Sequence, residues 1–212
     1  DVSFASGTRV AAALREKGFG GRILLIDREA EASYDRTVLS KYVLAGDMAV
    51  NETVPLRDET YFTQQRIERL HGEVTHLDPH ARQIQLADGR RLGYDAALIA
   101  TGGEPKTPAL PGIDLPQVFV LRSIAHARQI LDTVRPGQRA VIIGDSFIAM
   151  EVASSLRKRE LEVTVLARHP VPFAAQLGES VGKAILALHQ ANGVVYRTDG
   201  EAAGIEGAHK VE

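Results

Sequence analysis

The sharpest change of hydrophobic pattern lies between Ala140 and Ala153, where the apolar run Ala140-Val-Ile-Ile stops at Gly144 and helix-period spacing follows Asp145-Ser146. This predicts a strand, a tight turn and a helix from Ser146 to Arg159. Upstream, Thr8–Lys17 carries Val10, Ala13 and Leu14 at helical spacing and stops at Gly18, and Gly21–Asp27 reads as a buried strand. Residues 28–58 are polar and break the periodicity, and loops that long in compact domains are usually functional. Short strands are predicted at Ile67–Leu70, Glu73–Leu77 and Gln83–Leu86, with Asp88-Gly89 turning the chain into Arg90–Leu92. Tyr94–Gly103 predicts a strand running into a glycine turn. Pro105, Pro108, Pro111 and Pro116 mark a linker. Beyond it come a strand at Val118–Leu121, a helix at Ile124–Val134, the Ala140–Gly144 strand and its helix, a strand at Val163–Ala167, a helix at Glu179–Gln190 and a strand at Val194–Arg197. Asp199–Glu212 reads as a hairpin cut off midway. Strands alternating with helices predict an α/β fold with a parallel sheet and right-handed crossovers.

The turn at Gly144 has a chemistry of its own. A strand that turns tightly into a helix aims backbone N–H groups and the positive helix end at one spot, which suits a pyrophosphate. The spacing Gly144-x-Ser146-x-x-Ala149 is the dinucleotide fingerprint with small residues at its second and third positions. Asp145 lies within that turn and opposes a phosphate. At the end of the next strand, Leu166-Ala-Arg168-His169 offers no carboxylate to accept ribose hydroxyls. A guanidinium and an imidazole there suit a 2′-phosphate, so NADPH stands beside NADH as the expected coenzyme. A second fold of similar logic begins near Gly7.

Composition narrows the choices. The 212 residues carry a net charge of −2, which gives no overall basic field for nucleic acid or an anionic membrane. Apolar runs are strand-sized, far below the roughly 20 residues of a membrane span. The absence of cysteine excludes disulfides, thiolate zinc sites, iron–sulfur ligation and a redox dithiol within this chain. The seven histidines are not at metal-ligand spacing, so no metal is expected. Electrons handled here would travel on a bound organic cofactor. A cytoplasmic monomer or homodimer is expected.

Taken together, Tyr34-Asp-Arg-x-x-Leu-Ser-Lys41, Ala100-Thr-Gly-Gly103, Leu121-Arg-Ser123 and Gly144-x-Ser-Phe-Ile-x-Met-Glu-Val-Ala153 resemble the FAD-dependent pyridine nucleotide-disulphide oxidoreductases. Within them, the chain is similar to the branch of ferredoxin, rubredoxin and putidaredoxin reductases and apoptosis-inducing-factor-like proteins. The resemblance implies two Rossmann-like, three-layer nucleotide-binding domains, the NAD(P)-binding one inserted in the FAD-binding one. The FAD-binding segment would cover residues 1–106 and an incomplete NAD(P)-binding domain 107–212. It also implies that hydride passes from NAD(P)H to FAD, and single electrons then go to a small redox protein of ferredoxin, rubredoxin or Rieske type. On this likeness the chain is a fragment of a longer protein.

The resemblance carries roles to particular residues. Gly7 closes the first fingerprint, whose two earlier glycine positions fall on Val2 and Phe4. Asp27 or Glu29 would take the adenosine ribose hydroxyls, the backbone of Val74 would meet the adenine, and Ala100, Thr101 and Gly102 would form the turn against FAD. Arg36 and Arg122 would contact the flavin. Lys41 would lie near its reactive edge, paired with Glu151, although Thr37-Val38 stands where the family often has two prolines. Gly144, Asp145, Ser146, Phe147 and Ile148 would bind the nicotinamide coenzyme, with Arg168 and His169 at its ribose. A second reading is a degenerate nucleotide-binding protein of the apoptosis-inducing-factor kind with little turnover. A disulfide or peroxide reductase would need a thiol at the flavin, which the sequence lacks.

Overall fold

The structure, a computed structural model, describes residues 3–52, 55–198 and 201–207. It divides into two compact units, one of Asp1–Asp35 with Val54–Gly103 and one of Arg36–Thr53 with Glu104–Glu212. Residues 36–53 therefore pack with the second unit rather than with the rest of the first 106.

In the first unit, helix α1 (Ser3–Glu16) leads into strand β1 (Ile23–Asp27), which pairs in parallel with β2 (Ile67–His71). Helix α2 (Glu59–Gln64) precedes β2 and is capped by Asp58, whose side chain accepts from the amide of Tyr61. Ala11, Ile23, Phe62 and Ile67 form the core between these elements. Arg15, in the last turn of α1, donates from Nε to the carbonyl of Gln65 at 2.7 Å and from a terminal nitrogen to that of Arg66 at 2.8 Å. Gln65 caps α2 and Arg66 follows it, so these bonds bring a cation to the negative end of α2. Strands β3 (Val74–Asp78), β4 (Gln83–Leu86) and β5 (Arg91–Gly93) make an antiparallel meander turned at Gly89, where φ is +88°.

In the second unit, a π-helical segment (Leu39–Val43) and a short 3-10 turn (Val50–Glu52) are followed by α3 (Ile124–Thr133), capped by the Ser123 side chain. Next come β6 (Arg139–Ile143), α4 (Phe147–Lys158), β7 (Glu162–Leu166), α5 (Ala174–Leu177), α6 (Glu179–Ala191) and β8 (Val194–Arg197). The three strands are parallel in the order β6-β7-β8. One sheet face carries Val163, Val165 and Val194 into a core with Met150, Ala153 and Leu156 of α4. The alternate positions Val141, Ile143 and Val195 stay exposed, as the period-2 geometry of strands requires. Gly182 lets α6 pack closely, since a Cβ there would sit 2.5 Å from the carbonyl oxygen of Pro172.

Several expectations are corrected. The first helix begins at Ser3, ahead of the predicted Thr8, so Ser6 and Gly7 are helical. Residues 94–103 and 118–121 form no strand, since among the described residues no strand pairs with them to supply the ladder bonds that extended segments need. Leu98 and Ile99 are correspondingly exposed. The expected hairpin lies partly outside the described residues, and residues 201–207 are irregular.

Candidate functional site

In the first unit, Asp27 ends β1 and its carboxylate accepts from the amide of Glu29 at 2.9 Å, while Glu29 Oε2 accepts from the Tyr34 hydroxyl at 2.8 Å. Both candidate ribose acids thus share one strand end. A Cβ at Gly7 would meet Leu25 at 3.6 Å, an ordinary contact, so the packing of α1 on β1 does not itself demand glycine there. Val2 lies outside the described residues, as does the side chain of Phe4. Val74 is exposed at the start of β3. Ala100, Thr101 and Gly102 lie in the irregular segment after β5, with Gly102 at φ +71°.

The second unit brings more of the candidates together. Lys41 Nζ lies 3.2 Å from Glu151 Oε1 and also donates to the Thr37 carbonyl at 3.2 Å. Lys41 is on the π-helical segment and Glu151 is in the second turn of α4. Arg36 donates to the carbonyl of Arg122 at 2.7 Å, which joins the two arginines expected near a flavin.

At the start of α4 the chain turns at Gly144, whose φ of +115° is a region that residues with a Cβ rarely adopt, and whose side-chain direction opens on free space. Ser146 caps the helix, its hydroxyl accepting from the amide of Ala149 at 3.3 Å. The amides of Phe147 and Ile148 belong to the first turn and have no intrahelical acceptor. An open glycine corner facing the positive end of a twelve-residue helix fits a pyrophosphate. Phe147 stacks on Phe173 with ring centroids 4.3 Å apart.

Asp145 does not stand alone beside that corner. Its carboxylate accepts from the backbone amide of His169 at 3.1 Å and lies 2.9 Å from His169 Nδ1. The Asp145 side chain is only 14% exposed, so its charge is turned largely toward protein groups. His169 is thereby tied to Asp145, while Arg168 is exposed. Tyr196 closes the group, donating to the His169 carbonyl at 3.1 Å and lying 3.5 Å from Asp145.

Burial, with the Asp145 charge beside it, pushes the Tyr196 phenol up to about 12. Because this exceeds the ordinary value of about 10, the group's stabilisation is full below about pH 10 and fades as pH rises toward the folded value. Tyr196→Phe is expected to flatten the alkaline decline of the urea midpoint between about pH 10 and pH 12. An identical alkaline slope in both proteins would show that the hydroxyl is not held as described.

Tyr196 and Phe173 beside the Gly144 corner, and Ser155 beside the Lys41–Glu151 pair, carry no motif that singles them out. Ser40 alone had a signal, its place beside Lys41. Among the described residues no group of acidic, histidine or cysteine side chains could hold a metal, and no helix is long and apolar enough to cross a membrane.

A family model described as pyridine nucleotide-disulphide oxidoreductase matches residues 5–212. The ferredoxin–NAD(+) reductase component of the biphenyl dioxygenase system of Paraburkholderia xenovorans is 35% identical over 207 residues, covering 97% of this chain and 50% of the relative. A ferredoxin reductase from Rhodopseudomonas palustris superposes with a TM-score of 0.89 at 27% identity, covering 97% of this chain and 51% of that one. The covalent complex of putidaredoxin reductase with putidaredoxin matches with a TM-score of 0.86 at 28% identity, over 99% of this chain and 50% of that one. The chain spans about half the length of the curated relatives it matches.

Proposed function

Because the chain belongs to the pyridine nucleotide-disulphide oxidoreductase family, matched over residues 5–212, we propose that it is the nucleotide-binding part of an FAD-dependent NAD(P)H oxidoreductase that delivers electrons to a ferredoxin-type protein. The observation that carries this reading is the ion pair of Lys41, on the π-helical segment, with Glu151, on the helix that starts at the Gly144 corner, 3.2 Å apart. When bound, the nicotinamide supplies a hydride and FAD takes it up and releases electrons singly. The protein needs no acid, base or nucleophile of its own for this. Its residues bind, orient and set the local field.

Gly144 and the amides of Phe147 and Ile148 would take the coenzyme's pyrophosphate, with Asp145 held back by His169. Lys41 would place a positive charge that favours an electron-rich ring, and Glu151 would fix that charge. Arg36 and Arg122 would add positive field at the flavin. Asp27 or Glu29 would hold the FAD ribose, with Val74 and the backbone of Ala100, Thr101 and Gly102 along the rest of that nucleotide. The likeness to ferredoxin reductases and to the reductase bound to putidaredoxin supports a small iron–sulfur protein as acceptor.

The test is to mix the FAD-loaded full-length protein with NADH or NADPH and a ferredoxin, and to follow ferredoxin absorbance. Sustained reduction is expected. Flavin reduction without ferredoxin reduction would move the acceptor elsewhere, and neither would favour a nucleotide-binding protein with little turnover.

For the coenzyme, the absence of a carboxylate after β7 and the exposed Arg168 support acceptance of NADPH as well as NADH. With His169 engaged by Asp145, the 2′-phosphate would rest mainly on Arg168. A charge-assisted bond to phosphate contributes about 1.5–3 kcal/mol, so Arg168→Ala is expected to weaken NADPH about tenfold or more. The Kd of NADH should stay within about twofold, because it lacks that phosphate. Equal loss for both coenzymes in fluorescence titrations would remove Arg168 from this role.

A further inference from the structure

The Lys41–Glu151 pair is gripped by a second pair of residues. Ser40 and Ser155 are each 4% exposed, yet neither hydroxyl serves its own helix. Ser40 donates to Glu151 Oε2 at 2.5 Å, while Lys41 takes the other oxygen of the same carboxylate. Ser155 lies one turn beyond Glu151 on α4 and shares its proton between the carbonyls of Ser40, at 2.6 Å, and Lys41, at 3.0 Å. The four residues form a closed ring, with side chains of α4 holding backbone and side chains of the π-helical segment. The geometry points to Ser40 and Ser155 as the positioning residues of the ion pair, an assignment that rests on the role of Lys41 and Glu151 proposed above.

Residues 39–43 form a π-helical turn. Such a turn is rare and is often found at functional sites, because its i→i+5 bonding displaces a carbonyl from the regular ladder. Here the amide of Leu44 reaches the carbonyls of both Leu39 and Lys41, and Ser155 supplies a further donor to the same stretch. A mid-helix serine ordinarily bonds back to its own helix or to water. Ser155 instead bonds across to the other segment. The same stripe of α4 continues the grip, since Arg159 donates to the carbonyl of Leu44 and Lys158 pairs with Asp47.

A lysine side chain is a flexible stem, so its charge is placed only as well as its backbone. Likewise a glutamate carboxylate turns broadly about its last torsion unless both oxygens are occupied. Ser155 answers the first need and Ser40 the second. The bond from Ser40 is charge-assisted and buried at its donor, which makes it stronger than a neutral hydroxyl contact.

The experiment uses the FAD-loaded full-length protein with three readouts: flavin bleaching by excess NADH, flavin midpoint potential, and hydrogen exchange of the amides of residues 39–43. Ser40→Ala is expected to slow bleaching about tenfold and to shift the potential negative, with NADH Kd within about twofold. Ser155→Thr and Ser155→Val have nearly equal volume and differ in the hydroxyl. The threonine variant should keep wild-type bleaching and exchange, whereas the valine variant should bleach about tenfold more slowly and exchange about tenfold faster. Wild-type bleaching and potential in both Ser40→Ala and Ser155→Val would overturn the proposal. Equal slowing by threonine and valine would also overturn it, because volume rather than the hydroxyl would then matter. Lys41→Met separates the role of the serines from the role of the ion pair. If it slows bleaching while the serine variants do not, the serine assignment alone fails; if it too is without effect, the reading of the ion pair fails.

Discussion

Replacing Lys41 by Met is expected to lower the rate at which excess NADH bleaches the bound flavin by about 10²-fold, equivalent to about 2.7 kcal/mol of transition-state stabilisation. Methionine keeps most of the apolar stem and removes only the charge and its hydrogen bonds. The stability cost should be small, because Lys41 is 42% and Glu151 29% exposed and ion pairs of that kind contribute about 1 kcal/mol or less. Rate and stability therefore separate. A large drop in bleaching with Tm shifted by no more than about 3 °C is the expected pattern. Stopped-flow absorbance beside a thermal melt reads both, and a bleaching rate within twofold of wild type would remove Lys41 from the site.

The second large effect is at the glycine corner. Gly144→Val is expected to abolish measurable nicotinamide coenzyme binding and to destabilise the protein by about 1–3 kcal/mol, because a β-branched residue at φ +115° is strained. The space around Gly144 is open, so the new side chain would not collide with protein. It would instead fill the place proposed for the pyrophosphate. Gly178 provides the control, since its φ is +82°, its surroundings are equally open, and it lies between α5 and α6. Gly178→Val should cost comparable stability and leave the Kd of NADH unchanged. Equal loss of binding in both variants would mean that strain, and not occupancy of the corner, explains the result.

The β6–Gly144–α4 unit was legible because three independent local signals agree there: an apolar run, a glycine and a serine cap at the start of a helix-period pattern. The β3–β4–β5 meander was legible for the same reason, through alternation and the Asp88-Gly89 turn. The apolar runs at residues 96–100 and 118–121 misled because hydrophobicity marks a segment that can be buried, whereas a strand is completed by a partner's ladder. Helix α5 was missed because it is a single turn entered from Phe173 at φ +62°, a conformation that no sequence pattern announces for phenylalanine.

The site was legible only in part. Lys41 and Glu151 stood out because each sits in a motif of restricted spacing. The ring that fixes them was hidden, since Ser155 reaches residues 114 and 115 positions away. A serine on a helix face looks the same whether it meets water or another segment. Tyr196 was hidden likewise, because its burial and its closeness to Asp145 arise only when β8 packs beside β7. The charge of Asp145 beside the turn is visible in the sequence, whereas its engagement by His169 is visible only in the structure.

Whether hydride leaves a nicotinamide for a flavin beside Lys41 and Glu151, as proposed, is read by anaerobic single-turnover absorbance of the FAD-loaded full-length protein. NADH or NADPH is expected to bleach the oxidised flavin bands, more slowly when the transferred hydrogen is deuterium and more slowly again in Lys41→Met. Oxidised bands that persist with both coenzymes at saturation would contradict it.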